Sequence, residues 1–185
     1  MSTLLREIKE HFGGRLSKCQ FYDTNVCNAK WPAEKPWEIE LVSGEPFLQE
    51  LRFSCRNYSV NIYANASWVS VTVKGGFEAG VFSLNAWKQL GFKSTPAGNH
   101  RFTHAEFPVF TQDGELSLEQ IKLLTLPELE ELAQEIQPNS FGIIRFSRDE
   151  VEIYLHEPVI EQVERVVNKL VDLASKFATE AGAGL

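Results

Sequence analysis

The chain has 185 residues, of which 43% are hydrophobic and 23% charged, and its formal net charge is −7. This composition is typical of one soluble globular domain with a substantial core. No block of basic residues stands out and no apolar run approaches the ~20 residues needed to cross a bilayer, which disfavours duplex nucleic acid binding and a membrane span.

The cysteines and the first residues bear on localisation. Cys19, Cys27 and Cys55 are an odd number of thiols, which argues for a reducing compartment. Charged side chains are mixed with apolar ones at the start of the chain, unlike a secretory signal. We therefore expect a cytoplasmic protein. The cysteine spacing matches no common zinc arrangement, and Cys55 fits a buried strand position.

Residues 1–42 are predicted to form a short helix, an irregular segment and a strand. The helix is capped at Ser2 or Thr3 and ends at Gly13-Gly14. Its apolar side is formed by Leu4, Leu5, Ile8 and Phe12. Aromatic residues are scattered through residues 15–36, so we expect that segment to wrap the domain in extended form. Residues 37–42 alternate like a strand at the edge of the main sheet.

Residues 51–84 are predicted to form a four-stranded antiparallel meander, because apolar residues recur at every second position. Two-residue turns at Arg56-Asn57 and Asn65-Ala66 and a three-residue loop at 74–76 set the register. The predicted pairs are Phe53 with Val60, Leu51 with Ile62, Ile62 with Val69, Tyr63 with Trp68 and Val73 with Phe77. Every apolar position then lies on one face, as a half-buried sheet requires.

The reverse face of this meander carries polar and aromatic side chains. Its simplest interpretation is a solvated face with one aromatic cross-strand pair, which stabilises by about 0.5–1 kcal/mol. Tyr, Trp and Arg are also the side chains that most often anchor interfaces. The candidate binding residues are therefore Arg52, Asn61, Tyr63 and Trp68.

The next segment is predicted to contain helical turns at 85–90, a strand at 100–110 and two short helices. Ser117 with Gln120, and Thr125 with Glu128, resemble capping boxes. The second helix should bury the stripe Leu126, Leu129, Leu132, Ala133 and Ile136 and expose the acidic string Glu128, Glu130, Glu131 and Glu135. That string is a solvated face by default, and its functional interpretation is a patch for a basic partner.

Residues 141–156 are predicted to form a hairpin with a two-residue turn at Arg148-Asp149. The predicted pairs are Phe146 with Val151, Ile144 with Ile153 and, on the other face, Arg145 with Glu152. A long helix then opens at Pro158, with an apolar stripe from Val159 to Phe177 that should lie across the sheet. Its outer face carries i, i+4 pairs, namely Glu161–Arg165 and Asp172–Lys176. Residues 181–185 are expected to fray.

His104-Ala105-Glu106 is the tripeptide that most invites a catalytic interpretation. It matches half of the zinc deaminase signature, but the Pro-Cys-x-x-Cys half is absent downstream. His100, His104 and Glu106 share a face of the predicted strand, yet the two histidines would lie ~13 Å apart at the rise of a strand. The sequence therefore predicts no metal and no cofactor. The weak catalytic candidates are Arg101, His104 and Glu106.

These elements predict a single α+β domain over residues 1–185. Its single antiparallel sheet combines the meander 51–84, the hairpin 141–156 and flanking strands, six to eight in all, and the C-terminal helix packs on the apolar face. The order helix, meander, helix, hairpin, helix in an acidic chain is loosely similar to small secretion chaperones and to toxin-neutralising proteins. A protein-binding role is favoured by the lack of a complete catalytic constellation in the sequence, by the face that carries Tyr63, Trp68 and Arg52, and by the acidic helix.

Two functions are carried forward from the sequence. The first is a non-catalytic protein-binding module, an adaptor, chaperone-like or immunity-type protein, whose exposed sheet face and acidic surface would favour a basic protein partner. The alternative is a small-molecule-binding protein or an enzyme with a pocket between sheet and helix near His104 and Glu106.

Overall fold

The computed structural model describes residues 7, 10–11, 19–27, 48–64, 68–75, 82–85, 95–136, 142–147 and 149–182. Its strands are β1 Cys19–Cys27, β2 Leu48–Cys55, β3 Tyr58–Ala64, β4 Trp68–Lys74, β5 Phe82–Asn85, β6 Thr95–Arg101, β7 Glu106–Thr111, β8 Ile143–Phe146 and β9 Glu150–His156. These strands form one antiparallel sheet in the order β1-β2-β3-β4-β9-β8-β5-β7-β6. The described part of the chain thus holds nine strands, rather than the six to eight expected.

Three helices whose bounds lie within the described residues share the apolar core with this sheet: α1 Leu118–Leu124, α2 Pro127–Ala133 and α3 Ile160–Gly182. The long helix α3 contacts β3, β4 and β9, and its apolar side chains share one core with those strands. The buried positions of α3 are Val163, Val166, Val167, Leu170, Val171, Leu173 and Ala174. The α+β fold with a C-terminal helix on the apolar face is confirmed. Val159, predicted as part of the stripe, is instead exposed.

Two hairpins have the predicted register. In β2–β3, Phe53 pairs with Val60 and Leu51 with Ile62. The turn residues Arg56 and Asn57 have φ angles of 50° and 72°, the left-handed geometry of a two-residue hairpin turn. In β8–β9, the pairs are Phe146 with Val151, Ile144 with Ile153 and Arg145 with Glu152. The structure confirms both predicted registers. They could be predicted because a two-residue turn, together with the alternation of apolar residues, leaves one way to pair the two strands.

The predicted register between β3 and β4 is wrong by two residues. Ile62 pairs with Val71 and Tyr63 with Ser70, rather than with Val69 and Trp68. A shift of two residues leaves every side chain on its original face, so the alternating pattern is equally consistent with both registers.

The predicted fourth strand of the meander is also wrong. The neighbours of β4 are β3 and β9, so both sides of Val73 are occupied, by Val60 and Val151; Phe77, its predicted partner, lies outside the described residues. Strand β5 lies further along the sheet, between β8 and β7. The β8–β9 hairpin is thus inserted between two strands that are close in sequence, a long-range pairing that local alternation cannot reveal.

The predicted strand at 100–110 is in fact a hairpin. β6 and β7 flank a turn closed by the Phe102 amide, which donates to the Ala105 carbonyl at 2.9 Å. Residues 19–27 form the edge strand β1 instead of an irregular wrap. The predicted strand at 37–42, the helical turns at 86–90 and most of the first helix lie outside the described residues, although Glu7, Glu10 and His11 are helical.

The structure confirms one of the two predicted capping boxes and contradicts the other. The Ser117 amide donates to Gln120 Oε1 at 3.0 Å and the Gln120 amide donates to Ser117 Oγ at 3.2 Å, which confirms the first. The second is wrong, because α2 is capped by Leu126 without a side-chain bond and the Thr125 hydroxyl donates back to the Lys122 carbonyl. The predicted stripe of α2 is buried at Leu129, Leu132, Ala133 and Ile136, while Leu126 is half-buried.

Candidate functional site

A row of polar side chains crosses the sheet on the face opposite α3. Successive cross-strand partners share a face, because side chains alternate along each strand. From β2 to β5 the row runs Arg52, Asn61, Thr72, Glu152, Arg145 and Ser83. We call this side of the sheet the polar face. It also carries Tyr63, Trp68, Ser70, Tyr154 and His156.

The centre of the polar face is buried, contrary to the expectation of a solvated surface. Ser70, Thr72, Glu152 and Tyr154 are all almost completely inaccessible to solvent. The Ser70 hydroxyl donates to Glu152 Oε1 at 2.5 Å. The Thr72 hydroxyl is buried without a hydrogen-bond partner in the described part of the structure.

Arg145 supplies positive charge beside Glu152. Burial lowers the pKa of its guanidinium, and the negative charge of Glu152 on the neighbouring strand acts in the opposite direction. Opposite charges side by side reduce the cost of removing both from water. The centre of the polar face is therefore a compact polar layer built into the fold.

The rim of the polar face remains accessible. Arg52 is exposed, and Asn61, Tyr63 and Trp68 are half-buried. The predicted cross-strand pair of Tyr63 and Trp68 is wrong, because Trp68 pairs with His156 and their ring centroids are 4.7 Å apart. Sequence reasoning missed His156 as a neighbour of this rim because the pairing joins strands that are far apart in the chain.

The weak catalytic candidates lie on the β6–β7 hairpin. Arg101 and Glu106 are cross-strand partners, and His104 is in the turn between their strands. All three are exposed. His104 Nδ1 is 3.9 Å from Glu130 Oε1 of α2, so the closest carboxylate to this ring in the described structure comes from the predicted acidic string.

Glu130 joins the turn of this hairpin to α2. The Thr103 amide donates to Glu130 Oε1 at 2.7 Å. Hydrogen bonds from Thr103 hold the pKa of Glu130 below its ordinary value, and the nearby rings of His104 and His100 act in the same direction. Burial lowers the pKa of His100. In the described residues no group of three or more His, Cys, Asp or Glu side chains is arranged to hold a metal ion.

Aromatic rings pack around the same turn. The His100 and Phe102 centroids are 4.5 Å apart, and Phe102 is stacked on His104 at 6.0 Å. Phe102 also meets the buried Phe107 at 5.8 Å. His100 and His104 therefore both pack against Phe102, whose ring belongs to the core.

The acidic string of α2 is largely engaged in contacts within the chain. Glu128 Oε1 lies 3.4 Å from Lys176 Nζ. Glu135 Oε1 lies 2.8 Å from Lys169 Nζ and 3.2 Å from Arg165 Nε. Burial acts to raise the pKa of Glu135, but the hydrogen bonds from Lys169 and Arg165 outweigh it and leave that pKa below its ordinary value. The string thus fastens α2 to α3.

One cavity of about 260 Å³ lies between the end of the sheet and the helices. It is lined by Gln134, Glu135, Ile136, Gly142, Leu155, His156, Gln162 and Arg165. The predicted pocket residues His104 and Glu106 do not line it. Its volume is slightly below the range of about 300–1,000 Å³ that is usual for pockets that hold small organic ligands.

Of the three cysteines, Cys55 is a buried free thiol in the core, as its position on the inward face predicts. Cys19 and Cys27 begin and end β1. None of the helices in the described ranges is long and apolar enough to cross a membrane.

Comparisons with known proteins show similarity at the level of the fold. No protein-family model and no curated protein sequence matches the chain. Among solved structures, it is similar to the mycobacterial trehalose monomycolate transport factor A, TtfA, with a TM-score of 0.57. The match has 11% sequence identity and covers 91% of this chain and 90% of the TtfA chain. At this identity the likeness shows a shared fold.

Proposed function

We propose that this protein is a non-catalytic protein-binding module, of the adaptor, chaperone-like or immunity type, that docks its partner on the rim of the polar face. The observation that supports this function is the accessible set of Arg52, Asn61, Tyr63 and Trp68 around a buried polar centre. Arg, Tyr and Trp dominate the energetics of most protein interfaces.

The strands that carry most of the rim residues are rigid, which favours binding at the rim. Strands β3 and β4 are held on their other side by fully buried core residues, so the rim side chains project from a backbone with little freedom to move. Preorganised surfaces bind more tightly because less conformational entropy is lost on association.

The catalytic candidates offer a weaker basis for function. Arg101, His104 and Glu106 are exposed on a hairpin. Acid–base and electrostatic catalysis depend on a site that excludes water, where charges interact more strongly. An exposed hairpin provides no such environment.

Charge, location and fold are compatible with this function. The net charge of −7 favours a basic partner, and a buried free thiol fits a reducing cytoplasm. The similar structure belongs to a protein named as a transport factor. Because one fold hosts many functions, the proposal depends on the surface rather than on the likeness.

Affinity purification from the native host, followed by titration of the recovered partner, tests the proposal. We expect a stoichiometric protein partner and a Trp68→Ala variant that binds it about tenfold more weakly or worse, because truncating an interface anchor commonly costs more than 1 kcal/mol. Val159→Ala, at an exposed apolar position before α3, is the matched control and should bind normally. A folded Trp68→Ala protein with unchanged affinity would show that the rim is not the docking surface.

The cavity beside Glu135 supports a second candidate function, binding of a small polar molecule. Its lining combines the Arg165 guanidinium, the His156 ring and two glutamine side chains with an apolar wall. A thermal-shift screen with metabolites and metal analysis of the purified protein separate this candidate from the first. A ligand that stabilises the wild type but not an Arg165→Ala variant would favour it.

A further inference from the structure

Three elements of the fold meet at the cavity beside Glu135. The residues after α2 supply Glu135 and Ile136, the end of β9 supplies Leu155, and the first turns of α3 supply Gln162 and Arg165. Ile136 and Leu155 are almost completely buried, so the apolar part of the lining belongs to the packed interior. An apolar wall with a few placed polar groups is typical of a small-molecule site.

The charge at this cavity is positive on balance. Glu135 Oε1 lies 2.8 Å from Lys169 Nζ and 3.2 Å from Arg165 Nε, so two positive charges face one carboxylate. Glu135 is the acidic residue among the described lining residues. Glu157 and Glu161 are exposed outside this lining, and no ion pair joins Glu161 to Arg165 in the described structure. A site with this balance favours an anionic ligand.

Arg165 keeps hydrogen-bond donors that its contact with Glu135 does not use. Its Nε donates to Glu135 Oε1 and its Nη2 to Glu135 Oε2, both at 3.2 Å. Its Nη1 makes no hydrogen bond within the described part of the structure. A guanidinium can bind carboxylates in a bidentate manner because its N–H donors form a fixed planar fork. The Nη1 side of Arg165 is therefore able to bind a second carboxylate while the Nε side holds Glu135.

We propose that this cavity binds a small carboxylate, whose charged group is held by Arg165 and whose short apolar body packs on Ile136 and Leu155. This inference rests on the second candidate function above, binding of a small molecule, and gives that ligand a chemical class. The volume of about 260 Å³ suits a ligand smaller than most cofactors. Gln162 donates through Nε2 to the Glu135 carbonyl at 2.9 Å, which leaves its Oε1 to accept a hydrogen bond from the ligand.

Isovalerate, a short branched carboxylate, is the probe, and isovaleramide, which has the same shape without the charge, is its matched control. Binding to the purified protein is followed by NMR titration of the backbone amides of Leu155 and Gln162. We expect isovalerate to shift both resonances in a saturable manner. The amide should bind about tenfold more weakly or worse, because a hydrogen bond to a charged group is commonly worth that much.

Arg165→Gln should weaken the binding of isovalerate by about tenfold or more, for the same reason. Its fold should be retained, because Lys169 still holds Glu135, and circular dichroism melting checks this. Lys169→Gln removes the other partner of Glu135 from outside the lining and is the matched control, so it should weaken binding clearly less than Arg165→Gln does.

Two results would overturn the ligand class alone. They are equal binding of the acid and the amide, and an equal loss of affinity in Arg165→Gln and Lys169→Gln. Saturable binding of the amide would leave the second candidate function in place. Resonances that do not move with either compound would overturn the carboxylate site, whereas docking on the rim of the polar face would stand or fall with the Trp68→Ala measurement.

Discussion

Glu130 shows how one carboxylate can fix a hairpin to a helix. Its Oε1 accepts the Thr103 amide at 2.7 Å and lies 3.9 Å from the His104 ring nitrogen. A carboxylate that accepts hydrogen bonds is stabilised in its charged form. Since the pKa of Glu130 is lowered in the folded protein, its contribution to stability is present above the ordinary pKa of 4.5 and is lost as the pH falls through the lower folded value.

This linkage can be measured at the Thr103 amide by NMR. We expect its resonance to move as the pH falls, with a midpoint below 4.5, because protonation of Glu130 weakens the bond to the amide. In Glu130→Gln, which cannot titrate, the same resonance should stay in place. A midpoint at or above 4.5 in the wild type would mean that Thr103 does not stabilise the carboxylate.

The buried centre of the polar face provides a second test at single residues. Ser70→Ala removes a hydrogen bond to a buried carboxylate and should lower the free energy of unfolding by about 1–3 kcal/mol. Thr72→Val keeps the shape but removes a buried hydroxyl that has no partner in the described structure, so it should be neutral or stabilising. Urea unfolding of both variants measures these changes, and a large loss of stability in Thr72→Val would show that the hydroxyl has a partner after all.

The helices α2 and α3 are joined by charged side chains rather than by apolar contact alone. Glu135 has a side chain that is almost fully buried and is held by Arg165 and Lys169. The i, i+4 spacing on α3 predicts a partner for Arg165 on its own helix, yet its guanidinium donates to Glu135, just after the end of α2. A buried carboxylate with two basic partners makes the packing of the two helices depend on its charge.

Glu135→Gln should therefore destabilise the protein by about 1.5–3 kcal/mol at neutral pH, the range for hydrogen bonds to charged groups. Because the pKa of Glu135 is lowered on folding, the difference from the wild type should shrink as the pH falls below the ordinary value of 4.5. Glu131→Gln, at an exposed glutamate of α2 four residues earlier, should change the stability by less than about 0.5 kcal/mol. Equal effects of the two substitutions in denaturant unfolding would contradict the role given to Glu135.

Strand pairings between residues close together in the chain can be predicted from the sequence, whereas pairings between distant residues cannot. The β8–β9 hairpin could be predicted because its turn and its pairs lie within a few residues of one another. The register of β3–β4 could not, since a shift of two residues preserves the faces. The turn at 102–105 was missed because the residues on both sides of it alternate like one continuous strand.

The candidate site was predictable only in part for the same reason. Arg52, Asn61, Tyr63 and Trp68 were assigned to one face from alternation, and the structure places them on that face. The placement of Glu152, Tyr154 and His156 beside Ser70 and Trp68 follows from β4 pairing with β9, and Ser70 and Glu152 are 82 residues apart in the chain. No local pattern reports such a pairing.

The whole molecule is a sheet with two unlike faces. In the described residues one face meets helices α1, α2 and α3 across an apolar core, and the other has a buried polar centre with a partly accessible rim of aromatic and arginine side chains. The rim side chains lie outside the apolar core, so they can be changed without opening it. The ion pairs of Glu128 and Glu135 with Lys176, Lys169 and Arg165 lie within the helical layer, where they join α2 and the residues after it to α3.

Hydroxyl-radical footprinting of the protein alone and with its host partner tests the use of the polar face most directly. We expect oxidation of Trp68, Tyr63 and His156 to fall several-fold in the complex, while His104 on the β6–β7 turn is oxidised at the same rate in both samples. Unchanged oxidation of Trp68 in a stoichiometric complex, with protection elsewhere, would contradict docking on the rim of the polar face.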